Sequence, residues 1–329
     1  MNYSLTVIVP VYNGEKYVDD FMKGVVSQSI FADLSLVFVN DGSKDKSCER
    51  LKECQKLYPK QITIISKENG GVSSARNAGL DIVETEYFTF ADIDDLMHPK
   101  LFERLYKMIV QTDADMVCAG IEKISTQQAT NMDVSKNQNK YGYTKILDSE
   151  SAIRLLLATP EQNAVYSKIY RTTRLGRVRF DERLAIAEDK LFVFQCITQS
   201  KYITVSDEKL YFYIQQPVSA MSYSNARAKL GQDIVLDIID REMKAKYPNS
   251  YAFSVAIKAR IHSGSYSKVM CNDKDCRERA KYYRNSVKNC PIGYVFEELS
   301  PRGIMMVMLV RYFPLVFWLK RLKNRKRLI

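Results

Sequence analysis

Tyr87-Phe88-Thr89-Phe90-Ala91-Asp92-Ile93-Asp94-Asp95 runs from a strand into a cluster of carboxylates. The aromatic and β-branched residues of Tyr87 to Ala91 fit a pleated, buried surface. Three carboxylates then follow within four positions. Such charges repel one another unless a cation lies among them. Mg²⁺ and Mn²⁺ take oxygen ligands, often one or two carboxylates together with substrate phosphates. Alternate side chains of an extended chain point the same way, so Asp92 and Asp94 can face one ligand. The competing reading is an acidic helix start before Pro99, where carboxylates complement the helix dipole.

Upstream of this stretch the chain repeats one pattern. Leu5 to Val9, Ser35 to Val39 and Ile62 to Ser66 read as further strands. Between them lie helical patterns. One carries Tyr17, Phe21 and Val25; the next carries Leu51, Cys54 and Tyr58 with Asp45 as its cap. A third is capped by Ser73 and runs to Ile82, and Leu101 to Gln111 is amphipathic. Alternating strands and helices imply crossover units and a largely parallel sheet. Such sheets bind ligands beyond the carboxyl ends of their strands. The informative residues follow each strand: Pro10-Val11-Tyr12, Asn40-Asp41-Gly42-Ser43, Asn69-Gly70-Gly71 and Asp92 to Asp95.

Taken singly, each motif has two readings. Asp41 could accept the imide N–H of a uracil ring or close an Asx turn. Asn69 to Asn77 is glycine-rich and opens a helix, so its backbone N–H groups and Arg76 suit an anion; an ordinary loop would look the same. It is neither a Walker loop nor a GxGxxG fingerprint. Glu188-Asp189 could supply a general base or form an exposed acidic turn.

Beyond residue 120 the pattern weakens. Ser125 to Tyr143 is polar and reads as a loop. Ser149 to Leu157, Ala185 to Thr198, Ile234 to Lys246 and Arg277 to Val287 read as helices, and Val165 to Tyr170 as a strand. With 329 residues, 46% hydrophobic and 26% charged, the chain can bury a sizeable core, which excludes a disordered or low-complexity protein. Seven cysteines without a CxxC pair, and two histidines, make a disulfide scaffold or zinc cage poor fits; a reduced, cytoplasmic setting is expected. Met1 to Val11 lacks a basic region before its short apolar run, so it does not read as a secretory leader.

Charge is unevenly placed. Residues 1–120 hold 13 Lys/Arg against 18 Asp/Glu, whereas residues 302–329 hold eight basic groups and no acidic one. An apolar lead-in from Ile304 to Val310 and Phe313 to Leu319, with Trp318, precedes Lys320, Arg321, Lys323, Arg325, Lys326 and Arg327. That order suits an anionic membrane surface better than nucleic acid. A helix docked on the protein is the alternative.

Together the segments resemble the family-2 glycosyltransferases of the GT-A fold. The resemblance rests on Val7 to Gly14, Val39 to Ser43, Glu68 to Gly79, Asp92 to Asp95 and Glu188-Asp189, in order and register. It implies an α/β, Rossmann-like nucleotide-sugar-binding domain over residues 1–215, in two halves meeting near residue 120. A helical region over 216–300 and an amphipathic basic tail over 301–329 would follow. It also implies roles. Pro10, Val11 and Tyr12 would wall the nucleobase, Asp41 would bind uracil, and Arg76 would approach the base or diphosphate. Asp92 and Asp94 would form the DxD pair, touching ribose and a Mn²⁺ or Mg²⁺ ion, with Asp95 as a further metal ligand. Asp189 would be the base. The implied reaction is inverting transfer from a UDP-sugar to an undecaprenyl-linked saccharide, in capsule or exopolysaccharide synthesis. It would run on the cytoplasmic face of the membrane, without nucleic acid. The only tryptophan is Trp318, so the Gln-x-x-Arg-Trp motif of processive synthases is missing. Two rivals remain open: a nucleotidyltransferase, and a binding protein that kept the fold without the chemistry.

Overall fold

A computed structural model describes residues 4–134, 142–215, 226–269 and 274–314. The chain begins with β1 (Leu5–Val11), α1 (Glu15–Val26), β2 (Leu34–Asp41), α2 (Ser47–Leu57), β3 (Ile62–Lys67), α3 (Val72–Leu80) and β4 (Tyr87–Phe90). It continues through β5 (Leu96–Met97), α4 (Leu101–Thr112), β6 (Met116–Ser125), α5 (Thr126–Asn131), β7 (Thr144–Leu147), α6 (Ser149–Ala158), β8 (Lys168–Arg171) and α7 (Thr172–Leu175). Then come α8 (Glu188–Gln199), β9 (Ile203–Gln215), α9 (Ala226–Lys246), α10 (Pro248–Val269), α11 (Lys274–Asn289), α12 (Ile292–Glu298) and α13 (Pro301–Tyr312).

Among the described residues nine strands form one sheet in the order β3-β2-β1-β4-β8-β6-β9-β5, with β7 paired to β9. The half built from β3, β2, β1 and β4 is parallel, as the alternating pattern requires. The other half is mixed: β8 runs antiparallel to β4 and β6, and β9 runs parallel to β6 but antiparallel to β5 and β7. The expectation of a largely parallel sheet therefore holds for one half only. The central strand β1 is almost wholly buried, because crossover helices cover both of its faces. Its side chains join Phe21, Phe38, Phe102 and Leu105 in the main core.

Three local expectations are corrected. Helix α3 is capped by Gly71, whose φ of 87° glycine adopts without a Cβ penalty; Ser73 lies buried inside the helix. Helix α2 begins at Ser47, and Asp45 instead accepts from the backbone N–H of both Ser47 (3.0 Å) and Glu15 (3.1 Å), tying two helix starts together. The polar tract after Ser125 is not all loop: Ser125 and Gln128 form a reciprocal capping box that starts α5.

The chain divides into two compact units, Met1–Val235 and Leu236–Ile329. In the second, α10 packs against α11, α12 and α13. Ala256, Ile257, Tyr283, Val287, Val295, Val307 and Val310 are buried there. Phe296, Met305, Tyr312 and Phe313 remain exposed on α12, α13 and the residue after it. Among the described residues no helix is long and apolar enough to cross a membrane. Trp318 and the basic cluster from Lys320 to Arg327 lie outside the described residues.

Candidate active site

The loops after β1, β2 and β4, the start of α3 and the start of α8 supply the polar residues. Asp92 leaves β4 through a tight turn, in which Asp95 N–H donates to the Asp92 carbonyl (3.3 Å). Strand β9 braces this turn. The Tyr211 hydroxyl donates to Asp95 Oδ2 (2.8 Å) and accepts from Asp92 N–H (3.1 Å), and Ile214 N–H donates to Asp95 Oδ1 (2.9 Å). Both Asp95 oxygens are thus held by β9, and its carboxyl is buried, which pushes its pKa well above the ordinary value. Asp95 is accordingly an anchor for the turn.

Asp94 has a different environment. Among the described residues no side chain hydrogen-bonds to its carboxylate, and burial together with the charge of Asp92 pushes its pKa up. Asp92 engages Oδ1 with Arg76, and among the described residues its Oδ2 accepts no hydrogen bond. Two repelling carboxylates, one of them unpartnered, fit a divalent cation that takes its remaining ligands from phosphate and water. No group of three or more His, Cys, Asp or Glu side chains among the described residues forms a closed cage.

Arg76 is the centre of the arrangement. It is 3% exposed. Its Nη2 donates to Asp92 Oδ1 (3.0 Å) and its Nη1 to Asp189 Oδ1 (2.6 Å). The guanidinium also lies 5.4 Å from the centroid of Phe180. Burial opposes its charge, but the carboxylates of Asp189, Asp92 and Glu188 outweigh burial and raise its pKa. Next to it, Asn77 clamps the Phe180 segment, donating to Phe180 O (3.0 Å) and accepting from Phe180 N–H (2.8 Å). One turn of α3 therefore positions both the arginine and the ring beside it.

Asp189 and Glu188 open α8. The residue before them, Ala187, has φ 69°, a left-handed conformation that costs a non-glycine residue about 1–2 kcal/mol. This turn sets the first residues of α8 against Arg76. Burial pushes the Asp189 carboxyl upward, against the pull of Arg76. Burial and the charge of Asp189 push Glu188 up to about 7. The adjacent carboxylates are thus electrically linked, although only Asp189 bonds the arginine.

The loop beyond β3 wraps Asp41. Its Oδ1 accepts from Lys67 Nζ (2.8 Å) and Gly70 N–H (2.9 Å), and its Oδ2 from Gly71 N–H (2.8 Å). Asn69 Nδ2 donates to the Asp41 carbonyl (2.9 Å). Gly42, at φ 71°, would bring any Cβ to 2.8 Å from the Asn69 N, so the close approach of the two loops needs glycine there. Pro10 and Val11 end β1 rather than follow it, and Tyr12, the next residue, is 51% exposed. Val11 is packed in the main core, so its side chain does not wall a ligand site. Pro10 is half-buried.

The sequence singled out Asp92, Asp94, Arg76 and Asp189; the structure brings Asp92, Arg76 and Asp189 into direct contact, with Asp94 beside them. It adds Lys67, Phe180 and Tyr211, which sequence reasoning missed. Lys67 and Phe180 carried no motif signal. Tyr211 lies on a strand whose pairing partners are remote in sequence.

Comparisons with known proteins bear on this arrangement. Residues 6–172 match the family model described as glycosyl transferase family 2. The chain is 32% identical over 228 residues to the minor teichoic acid biosynthesis protein GgaB of Bacillus subtilis, covering 69% of this chain and 25% of that protein. It is 29% identical over 221 residues to the uncharacterized glycosyltransferase EpsJ of the same organism, covering 65% of this chain and 62% of that one. The chain thus spans less than two thirds of the length of either relative. Its fold resembles that of Staphylococcus aureus TarS residues 1–349 in complex with UDP-GlcNAc, with a TM-score of 0.68 and 20% identity over 94% of this chain and 90% of that one. The nucleotidyltransferase alternative finds no support in these likenesses, and the chain belongs to glycosyl transferase family 2.

Proposed function

We propose that the protein is a metal-dependent inverting glycosyltransferase that moves a hexose or N-acetylhexosamine from a UDP-sugar to a lipid-linked saccharide in cell-surface polymer synthesis. The observation that carries the reading is the guanidinium of Arg76, bonded at once to Asp92 and Asp189. One buried cation thereby joins the carboxylate that begins the DxD pair to a carboxylate suited to proton abstraction.

UDP is favoured by the hydrogen-bonding capacity left around Asp41. Its carboxylate accepts three bonds, one short of its ordinary capacity. Lys67 Nζ and Asn69 Nδ2 each use fewer protons than they have. One acceptor flanked by two donors complements the uracil edge, an N–H between two carbonyls. TarS, the neighbour by fold, binds UDP-GlcNAc. The name of GgaB points to teichoic acid as a class of polymer, alongside capsule and exopolysaccharide.

Asp94 and Asp92 would hold the Mn²⁺ or Mg²⁺ ion. When bound, that ion offsets charge developing on the diphosphate leaving group. Asp189 accepts the proton of an acceptor hydroxyl, whose oxygen attacks the anomeric carbon from the face opposite the diphosphate. The bond to the diphosphate breaks, UDP departs and configuration inverts. Arg76 favours the ionised form of the Asp189 carboxylate and aims it.

The deciding experiment measures nucleotide release from UDP-, GDP- and dTDP-sugars, with Mn²⁺ or Mg²⁺ and lipid-linked acceptor. Metal-dependent UDP release from one donor is expected; silence across the panel with folded protein would sink the reading in favour of a binding protein. In a UDP-binding titration Asp94→Asn should weaken Mn²⁺-dependent UDP binding by about 10–100-fold. Unchanged binding with and without Mn²⁺ would remove Asp94 from the metal site.

The lipid-linked acceptor and a peripheral position on an anionic membrane draw support from the same end of the chain. Phe296, Met305, Tyr312 and Phe313 are exposed, and no acidic residue follows Glu298. Removal of residues 303–329 should shift the protein from anionic vesicles to the soluble fraction and lower activity on lipid-linked acceptor. Equal partitioning and equal activity would refute membrane attachment.

A further inference from the structure

Three tyrosines stand beside the carboxylates. Tyr166 stacks on Tyr211 with centroids 4.4 Å apart and planes 12° apart, and on Tyr213 at 6.2 Å and 8°. Tyr211 and Tyr213 are alternate residues of β9, so both present the same face. Tyr166 lies next to β4, since it bridges Phe90. The Tyr211 hydroxyl is spent on Asp95 and the Asp92 backbone. The Tyr166 hydroxyl is not spent: among the described residues it has no hydrogen-bond partner, although the residue is only 9% exposed.

A buried phenol normally finds a partner, because losing water without replacement costs free energy. The sealed, unpartnered polar atoms among the described residues include Ser73 Oγ and Lys168 Nζ but not the Tyr166 hydroxyl, which is not fully enclosed. Burial, then the charges of Asp92, Asp95 and Asp189, raise its pKa, so the phenol stays protonated and can donate. Geometry places Tyr166 beside the DxD turn: it stacks on Tyr211, whose hydroxyl holds that turn, and Arg76 joins the turn to Asp189.

We infer that the Tyr166 hydroxyl is a hydrogen-bond donor to the transferred sugar, and that the stacked Tyr166–Tyr211 pair fixes it in place. The inference rests on the proposed transferase reading. The group transferred must lie between the carboxylates that serve the diphosphate and the carboxylate that serves the acceptor. A hydroxyl beside the turn that Arg76 ties to Asp189 lies where a pyranose ring, with its several hydroxyl groups, would be recognised. The nucleoside lies elsewhere, beside Asp41.

Tyr166→Phe in the full chain tests this, because it removes one oxygen and keeps the stack. Affinities for UDP and for the UDP-sugar that wild type uses are measured by titration with Mn²⁺, together with kcat/KM. UDP affinity is expected to change by less than about twofold, while UDP-sugar affinity and kcat/KM fall by about tenfold, the loss of one hydrogen bond. Equal weakening of UDP and UDP-sugar would overturn the inference, since the hydroxyl would then serve the nucleotide or the fold. No change in either would overturn it as well. Wild type that binds no nucleotide would overturn the transferase reading and this inference with it, whereas wild type that turns over normally isolates the inference alone. Tyr166→Leu, which also removes the stack, should weaken UDP-sugar binding further and lower thermal stability; a melting temperature equal to that of Tyr166→Phe would argue against the fixing role of the stack.

Discussion

Asp189→Asn should cut transfer by about a thousandfold, within the range by which a positioned general base accelerates a reaction. The asparagine keeps the size of the side chain and an oxygen for Arg76, but it cannot take a proton. UDP affinity should stay within about threefold of wild type, because in the proposed reading the nucleotide would be held by Asp41 and the DxD turn. The pH profile gives a second readout. Burial raises the Asp189 carboxyl, and Arg76 only partly opposes it. Below its pKa the group is protonated and cannot accept the acceptor proton. Activity should therefore rise with pH through an acid limb lying above the ordinary carboxylate range, and the Asn variant should lose that limb. Glu188, pushed up to about 7, titrates with its neighbour, so the limb belongs to the pair. Near-normal turnover in Asp189→Asn would remove the base from its role; Glu188→Gln is then the next variant to measure.

Arg76→Met should have the largest effect on stability. Arg76 is enclosed, and Asp92 and Asp189 are each about three-quarters buried at the side chain. Deleting the cation leaves two carboxylates facing each other without compensation, a loss of about 3–5 kcal/mol in comparable buried pairs. For a unit of this size that corresponds to a fall in melting temperature of roughly 10 °C. Arg76→Lys should recover only part of it, because a single ammonium cannot reproduce two directed bonds and the contact with Phe180. Melting curves of the three proteins decide the matter, and nucleotide release should vanish in the Met variant. A melting temperature unchanged to within about 2 °C would mean that the two carboxylates do not depend on Arg76 for charge balance. Lowering the pH should then partly rescue Arg76→Met, since protonation relieves the repulsion.

The parallel half of the fold was legible because each strand there is a short apolar run separated from the next by a single α-helix. β1, β2, β3 and β4 all fall where their β-branched and aromatic runs lie. β9 was not legible. Its residues Ile203–Gln215 mix charged and aromatic side chains, and its partners β5, β6 and β7 are remote in sequence. Helix α10 was missed for another reason. Its buried face includes Ser250, Ser254, Ala256, Ala259 and Ser263, small residues that let neighbouring helices approach but leave no apolar stripe.

At the site the division is similar. The sequence by itself determined the family, the positions of the acidic turn after β4 and of Asp41 at the end of β2, and the pairing of Glu188 with Asp189, because these are local patterns with fixed spacing. Only the tertiary structure decided what each carboxylate does. Asp92, Asp94 and Asp95 look alike in the chain, yet one meets Arg76, one keeps an unpartnered carboxylate, and one is tied to β9. The physical reason is that a carboxylate takes its character from the donors and charges around it. Here those donors come from Arg76, Tyr211 and Ile214, of which the last two lie more than a hundred residues away in the chain.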